Sequence, residues 1–472
     1  MTTIWLGVGL ALAGIVMIGP LRWAMAIAAL TLPMAATMVF AMGADPITLP
    51  VLTTLAFCLR HATTLVTKPQ REIFLGLIAR EWPLVALVGY ALVSGMLFPR
   101  LFAGMTVVPA QDMARDGFAI LGPHLVSVPQ MGYFLVGGYF YIALRQSITR
   151  VGPMPLVVGG VIQTLAFGGM GFMQAILGLV GVEFPVDWLV TNTHYALLAN
   201  VEAAGFVRVT AGFVEASSWA GWAAGPLAFC YALFINRVAA LPALLAGAAL
   251  AAAMLLSTSS SAYAGLFVLS VIAVAHVLID PSPARRSRGL MVLAAGAGVF
   301  GAAAGLILAA DPGQGFLGDL RMMLEEMTIR KQYSLSAIER GKMAQVGFQA
   351  GLDTFGLGAG FGTVRASGII ATLFGAVGLP GLILFAVFVA MAARILIVRP
   401  RTRQDAIRFA AGFAFMSALG PLVVSGVGLD LTNMIWVYAA IARTHWTPNA
   451  EAARGTAPSI PPSDSAPAEA GG

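Results

Sequence analysis

The chain alternates between long apolar runs and short polar connections. A helix needs about 20 apolar residues to cross a hydrocarbon core. Runs of that kind cover roughly 4–19, 22–42, 47–65, 82–98, 125–147, 155–181, 218–236, 239–257, 261–279, 290–310, 369–397, 406–424 and 429–442. The first, third and last are short, so the pattern predicts 12–13 transmembrane helices. Each run must be helical, because lipid cannot satisfy open backbone groups. The predicted fold class is an all-α polytopic membrane protein. It has a single transmembrane domain over 1–446 and a disordered cytoplasmic tail over 447–472, rich in Ala, Pro, Ser and Gly.

Composition sharpens this reading. The chain is 59% hydrophobic and 10% charged, with mean hydropathy +0.87. Soluble domains carry about 25% charged residues, so a soluble enzyme, a secreted disulfide scaffold and a disordered chain are excluded. Cys58 and Cys230 sit in apolar runs and suggest neither a disulfide framework nor a metal site. The N-terminus lacks the basic region and cleavage site of a signal peptide, so it reads as a retained first span. No P-loop, dinucleotide fingerprint or zinc spacing is present, which excludes an ATPase engine in this chain.

Basic residues set the orientation. Four clusters fall on one side of the predicted spans: Arg60, Lys68, Arg71 and Arg80; Arg145 and Arg150; Arg285, Arg286 and Arg288; and Arg394, Arg399, Arg401, Arg403 and Arg408. That side is expected to be cytoplasmic, with Arg443 and the C-terminus. The opposite, periplasmic face receives about 99–124, 183–217 and 311–368. The net charge of +6 is thus mostly an orientation signal, and no nucleic-acid partner is expected. On this topology the outer face is net acidic, so its basic residues stand out. The loop over 311–368 is too long to be a mere connection. Ser336 and Glu339 have capping-box spacing, and Ile338, Val346 and Leu352 offer an apolar face. These predict short helices lying on the membrane surface.

Few ionisable groups fall inside the spans, which argues against a proton- or ion-coupled transporter. His276, near the end of its span, reads as a hydrogen-bonded residue and not a ligand. Gly168-Gly169-Met170-Gly171 reads as a contact between helices. The polar chemistry concentrates on the outer face. Segment 183–217 carries Asn192, His194, Asn200, Glu202, Arg208 and Glu215, followed by Ser217 and Ser218. The large loop carries Arg321, Arg330, Lys331, Glu339, Arg340 and Arg365. Guanidinium groups bind phosphate oxygens bidentately, and a carboxylate or histidine accepts a proton from a sugar hydroxyl. The set suits a substrate with phosphate and many hydroxyls. Gly358, Gly360 and Gly362 allow two readings: close backbone approach to substrate, or a tight turn where the loop re-enters the membrane. No carboxylate cluster has metal-ligand spacing.

Three segments together resemble the O-antigen ligase and Wzy-type polysaccharide polymerase superfamily. The first is Arg208-Val-Thr-Ala-Gly-Phe-Val-Glu215-Ala-Ser-Ser-Trp-Ala220. The second is the Ser-rich turn Leu255-Leu-Ser-Thr-Ser-Ser-Ser-Ala-Tyr-Ala-Gly265. The third runs from Arg340-Gly-Lys-Met-Ala-Gln-Val-Gly-Phe348 through Gly356-Leu-Gly-Ala-Gly-Phe-Gly-Thr-Val-Arg365-Ala-Ser-Gly368 to a span with Gly375-Ala-Val-Gly-Leu-Pro-Gly381. The likeness covers about 200–397 and is strongest toward exopolysaccharide polymerases. It implies a GT-C-like glycosyltransferase architecture with a large periplasmic loop in the bacterial inner membrane. It also implies metal-independent transfer of glycan from an undecaprenyl-diphosphate-linked oligosaccharide to an acceptor sugar hydroxyl, with no cofactor. A chain-length regulator and a flippase are the implied partners. On this resemblance Arg340 and Arg365, with Arg208, Arg330 and Lys331, clamp the diphosphate. Glu215 is the first choice for general base, with Glu339 and His194 as alternatives. Two departures are plain: Ser260 or Ser261 stands where the family has an arginine, and no histidine follows the Gly-rich stretch. A ligase for finished glycan and a lipid-linked oligosaccharide flippase are the rival readings. A flippase should show internal repeats and a charged central cavity, and the sequence shows neither.

Overall fold

The structure is a computed structural model. It describes residues 2–42, 45–109, 117–125, 127–179, 181–192, 202–203, 206–257, 259–309, 318, 321–322, 325, 335–426, 428 and 434–446. The tail expected to be disordered lies outside the described residues.

The described chain is mostly helical. Its helices are α1 (Thr2–Ile18), α2 (Leu21–Thr31), α3 (Leu49–Thr64), α4 (Lys68–Arg80), α5 (Trp82–Leu101), α6 (Ser127–Val151), α7 (Met154–Leu179), α8 (Ala216–Ile235), α9 (Ala240–Leu256), α10 (Ser260–Ile279), α11 (Pro283–Ala309), α12 (Leu335–Asp353), α13 (Ile369–Ala393), α14 (Arg403–Ser425) and α15 (Ile435–Arg443). Three small antiparallel hairpins join them: β1 (Met38–Met42) with β2 (Asp45–Thr48), β3 (Val107–Pro109) with β4 (Phe118–Ile120), and β5 (Glu202–Ala203) with β6 (Phe206–Val207). Six helices, α5, α7, α8, α10, α13 and α14, are long and apolar enough to cross a membrane. The chain is therefore a multi-pass helical membrane protein. Helices α1, α2 and α9 are apolar but shorter. Helices α6 and α11 have the length, and they carry arginines at their ends.

The expected span over 22–42 differs from the sequence reading, and the one over 429–442 is described only in part. The run over 22–42 is helical only to Thr31. Pro33 has no N–H to donate back to Ala29, which weakens the helix at this point. The hydroxyl of Thr31 instead bonds Ile27 O at 3.0 Å and Thr53 Oγ1 at 2.7 Å. The residues beyond, rich in strand formers, pair as the β1–β2 hairpin. Of the run over 429–442, the described helix covers only Ile435–Arg443.

Helices α8 and α14 form the centre and are the most buried of the six. They meet through small residues: a Cβ on Gly225 would touch Tyr438 and Ala418. Helix α7 runs unbroken through Gly168–Gly171. There Gly168 faces the backbone of Leu250, and Gly171 faces Trp219. Close helix contact explains those glycines.

The four basic connections converge on one end of the bundle, and there several arginines are buried. Glu81, between α4 and α5, is fully buried. Its Oε1 accepts from Arg145 Nη1 and, at 2.7 Å, from Arg443 Nη2. Its Oε2 accepts from Tyr141 Oη at 2.9 Å. Arg145 also donates to Arg443 O at 2.9 Å and Thr444 Oγ1 at 3.2 Å. Arg443 reaches Met391 O in α13, and Arg408 of α14 reaches Ala442 O. Glu81 thus ties α5 to α6 and α15, Arg443 extends the network to α13, and Arg408 joins α14 to α15. Carbonyls take up part of the donor capacity that Glu81 cannot, and Arg443 Nε has no acceptor among the described residues. At the same end, Arg285 donates to Pro400 O, and Arg60 donates to Val16 O and Gly19 O.

A buried ion pair that loses one partner costs far more than an exposed one, because the remaining charge stays desolvated. Glu81→Gln should lower stability by about 3–5 kcal/mol, read as a fall in thermal midpoint and folded yield in detergent. Lys68→Gln, at an exposed pair with Glu72, should leave both unchanged.

Candidate functional site

The three longer segments meet at the end opposite the Glu81 network. Thr106 Oγ1 donates to Asp353 Oδ2 at 2.7 Å, joining the α5–α6 connection to the end of α12. Ser127 Oγ donates to Gly362 O at 3.3 Å. The Arg365 N–H donates to Pro109 O in β3.

The centre of this end is a break in α13. Gly378 has φ 62° and ψ −164° inside that helix, about 15 Å from its start at 1.5 Å per residue. Pro380 is the cause. It has no N–H, so Ala376 O loses its helical donor, and its ring prevents normal helical continuation. In an apolar surrounding such freed groups must be satisfied by protein or a lined cavity. The Gly-rich loop after α12 supplies the partners. Gly360 N–H donates to Ala376 O at 2.9 Å, Ala359 N–H donates to Gly375 O at 2.7 Å, and Leu379 N–H donates to Gly356 O at 2.8 Å. The loop reaches its depth along α5. Gly362 sits at Ser127, Gly360 at Pro99 and Ser94, and Leu357 O accepts from Tyr90 Oη at 2.9 Å near the middle of α5.

This geometry identifies what the glycines approach. Gly358 has φ 92°, and a Cβ there would lie 2.5 Å from Gly378 N and 2.6 Å from Ala376 O. The close approach is to the chain's own broken helix. The expectation of surface helices is corrected too. Helix α12 has 19 residues and descends beside the first half of α13, with Gly347 against Ala371 and Gly351 against Phe374. Small residues at 347, 350 and 351 let the two helices come together. Ile338 and Leu352 of the expected apolar face point outward, 45% and 61% exposed. Ser336 lies within α12.

Above this element the charged residues assemble. Arg208 follows β6 and is half-buried. The next residues are held by Gln174 of α7, whose Oε1 accepts the N–H groups of Thr210 and Ala211 at 2.9 and 2.8 Å. Burial holds the Arg208 guanidinium below its usual range, Glu215 raises it, and Arg340 lowers it further. Glu215 is the N-cap residue of α8. Its Oε1 accepts from the hydroxyls of Ser217 and, at 3.2 Å, Ser218. Arg208, Glu215 and Arg340 therefore share one electrostatic neighbourhood. Arg365 is exposed and adjoins Ala366, which packs on Gly347 two turns along α12 from Arg340. Glu339 is exposed on α12. His194, Arg330 and Lys331 lie outside the described residues.

Three buried N–H donors in this region lack an acceptor among the described residues: Arg208 Nε, Trp219 Nε1 and Trp222 Nε1. Trp219 meets Val209, the neighbour of Arg208, at Gly171, and Trp222 packs on Phe213. Buried donors without acceptors are costly. Arg443 Nε, at the Glu81 end, is likewise without one. Among the described residues no group of His, Cys, Asp or Glu is placed to hold a metal ion. Sequence reasoning missed Gln174, Tyr90 and the Thr106–Asp353 pair. The signal for Gln174 was an amide inside an apolar run. No protein-family model matches the chain, and no curated protein matches it.

Gly358→Ala forces a Cβ into backbone at positive φ, where an L-residue alone costs about 1–2 kcal/mol. It should lower the thermal midpoint clearly. Gly341→Ala, on α12 with open space around its Cα, should hold or raise it, since Ala is favoured by up to about 1 kcal/mol in a helix.

Proposed function

We propose that the protein is a membrane glycosyltransferase that polymerises polysaccharide from a polyprenyl-diphosphate-linked oligosaccharide. The observation that carries this reading is the grouping of Arg208, Glu215 and Arg340 beside buried donors without acceptors. Two guanidinium groups near one carboxylate suit a reaction in which a diphosphate leaves while a hydroxyl attacks. The resemblance of the three sequence segments to polysaccharide polymerases and ligases points the same way. So does the net-acidic face, on which these arginines are exceptions.

In this scheme the acceptor hydroxyl oxygen bonds to the anomeric carbon of the donor, and the bond from that carbon to the diphosphate oxygen breaks. Glu215 takes the hydroxyl proton; the hydroxyls of Ser217 and Ser218 fix its orientation. Arg340 and Arg365, with Arg208, hold the diphosphate as its negative charge grows. Activation energy is already in the carrier linkage, so no nucleotide enters. Positioning supplies much of the acceleration. This reading places the site at the periplasmic face of a bacterial inner membrane, in a GT-C-like frame with a cytoplasmic C-terminus.

A flippase is the second reading, and the broken helix α13 is the observation that favours it. Against it, the backbone groups freed by the break are bonded to the Gly-rich loop and are not available to a passing substrate.

Arg208→Ala, Arg340→Ala and Arg365→Ala should each abolish polymer while leaving membrane-inserted protein at the wild-type level. Mass analysis of the accumulated carrier-linked glycan in a deletion strain separates the classes. A polymerase leaves single repeat units outside, a ligase leaves finished polymer on the carrier, and a flippase leaves repeat units inside. Wild-type polymer from all three arginine variants would overturn the assignment.

A further inference from the structure

The basic end of the bundle holds a second cavity, away from the Arg208 site. Three connections line an open cavity of about 400 Å³: Asn236–Val238 after α8, Ser282–Arg288 around the start of α11, and Pro400–Ala406 into α14. A volume of that order suits a small ligand or a headgroup. Five arginines line it, at positions 237, 285, 288, 401 and 403.

The carboxylates nearby are already engaged. Asp280 takes Arg285 through two bonds of 2.7 and 2.9 Å. Asp405 closes the capping box of α14 with Thr402 and lies 3.8 Å from Arg408. Among the described residues, Arg237, Arg288, Arg401 and Arg403 form no ion pair. Arg288 is oriented by its bond to Ile235 O at 2.8 Å. Its guanidinium is held below its usual range by burial and by the charges of Arg237 and Arg285. The turn that presents Arg237 is strained: Arg237 has φ 57° and Ala239 has φ 47°, a region that residues other than glycine rarely adopt. Strain of this kind persists where the surrounding structure over-determines it, and it clusters at ligand sites. The start of α14 adds its positive dipole end to the same wall. Like charges are thus gathered by the fold without a counter-charge of the protein's own.

We propose that this cavity binds a phosphate-bearing anion through Arg237, Arg288, Arg401 and Arg403. Each connection has an exposed apolar residue within a few positions: Leu241, Ile279 and Ile397 are 65%, 79% and 85% exposed. The cavity therefore opens where apolar surface meets solvent, the level of a lipid phosphate. Guanidinium forks match phosphate oxygens in both a headgroup and a soluble phosphate. The inference is independent of the glycosyltransferase reading, since it uses neither its residues nor its face.

The test uses the full-length purified protein and its Arg237→Gln/Arg403→Gln variant. Both residues are exposed, so the variant should fold. Arg286→Gln, on the same face and outside the cavity lining, is the control for general charge. Thermal midpoints are read with inorganic pyrophosphate in neutral detergent, and in nanodiscs of phosphatidylcholine with or without phosphatidylglycerol. A rise with phosphatidylglycerol that the double variant loses and the control keeps supports a headgroup site. A saturable rise with pyrophosphate, weakened at least roughly tenfold in the double variant, supports a soluble phosphate. No rise with either anion, or equal loss in Arg286→Gln, overturns the proposal.

Discussion

A helix in an apolar medium cannot simply stop and restart. Pro380 removes one donor from α13, and Gly378 turns the chain out of helical geometry. The carbonyls of Gly375 and Ala376 and the N–H of Leu379 then need partners that lipid cannot provide. The Gly-rich loop provides all three, and much of that end of the molecule follows from it. The loop must come down to mid-depth along α5, so α12 must descend with it. Small residues must line the α12–α13 contact. Arg340 and Arg365 flank the element that fills the break, so the charged site is built on a rigid plug and not on a free loop.

The two ends of the bundle differ in what their buried arginines bond. At the Glu81 end, the buried guanidinium groups of Arg145 and Arg443 find a carboxylate, hydroxyls and helix-end carbonyls. At the other end Arg208 keeps a buried Nε without an acceptor among the described residues. Local inconsistency of that kind gathers at functional sites, and Arg443 Nε at the Glu81 end shares it.

Hydropathy and the basic loops carried most of the architecture, because span length and arginine placement are one-dimensional signals. The central helices and the gathering of the four basic clusters at one end were legible this way. What stayed hidden depends on partners distant in sequence. Glu81 sits in a charged connection beside Arg80, and nothing local distinguishes it from a solvated residue. The end of α2 turned on one proline inside an apolar run. The glycines at 358, 360 and 362 left two readings open, because the backbone they meet belongs to residues 94–99, 127 and 376–378. Arg208 and Glu215 are seven positions apart in one segment, whereas Arg340 joins their neighbourhood only through the fold.

Glu81 also imposes an order on assembly. Its two arginine partners arrive at very different times: Arg145 is 64 residues downstream and Arg443 is 362. Until nearly the whole chain has been synthesised, the carboxylate faces Arg145 and Tyr141 alone. The carbonyls of Met391 and Ala442 and the hydroxyl of Thr444 join the network in the same late stage. Helix α15, described over Ile435–Arg443, is held by this docking and by the packing around Trp436 and Tyr438. The last helix thereby completes a network whose carboxylate lies 362 residues earlier in the chain.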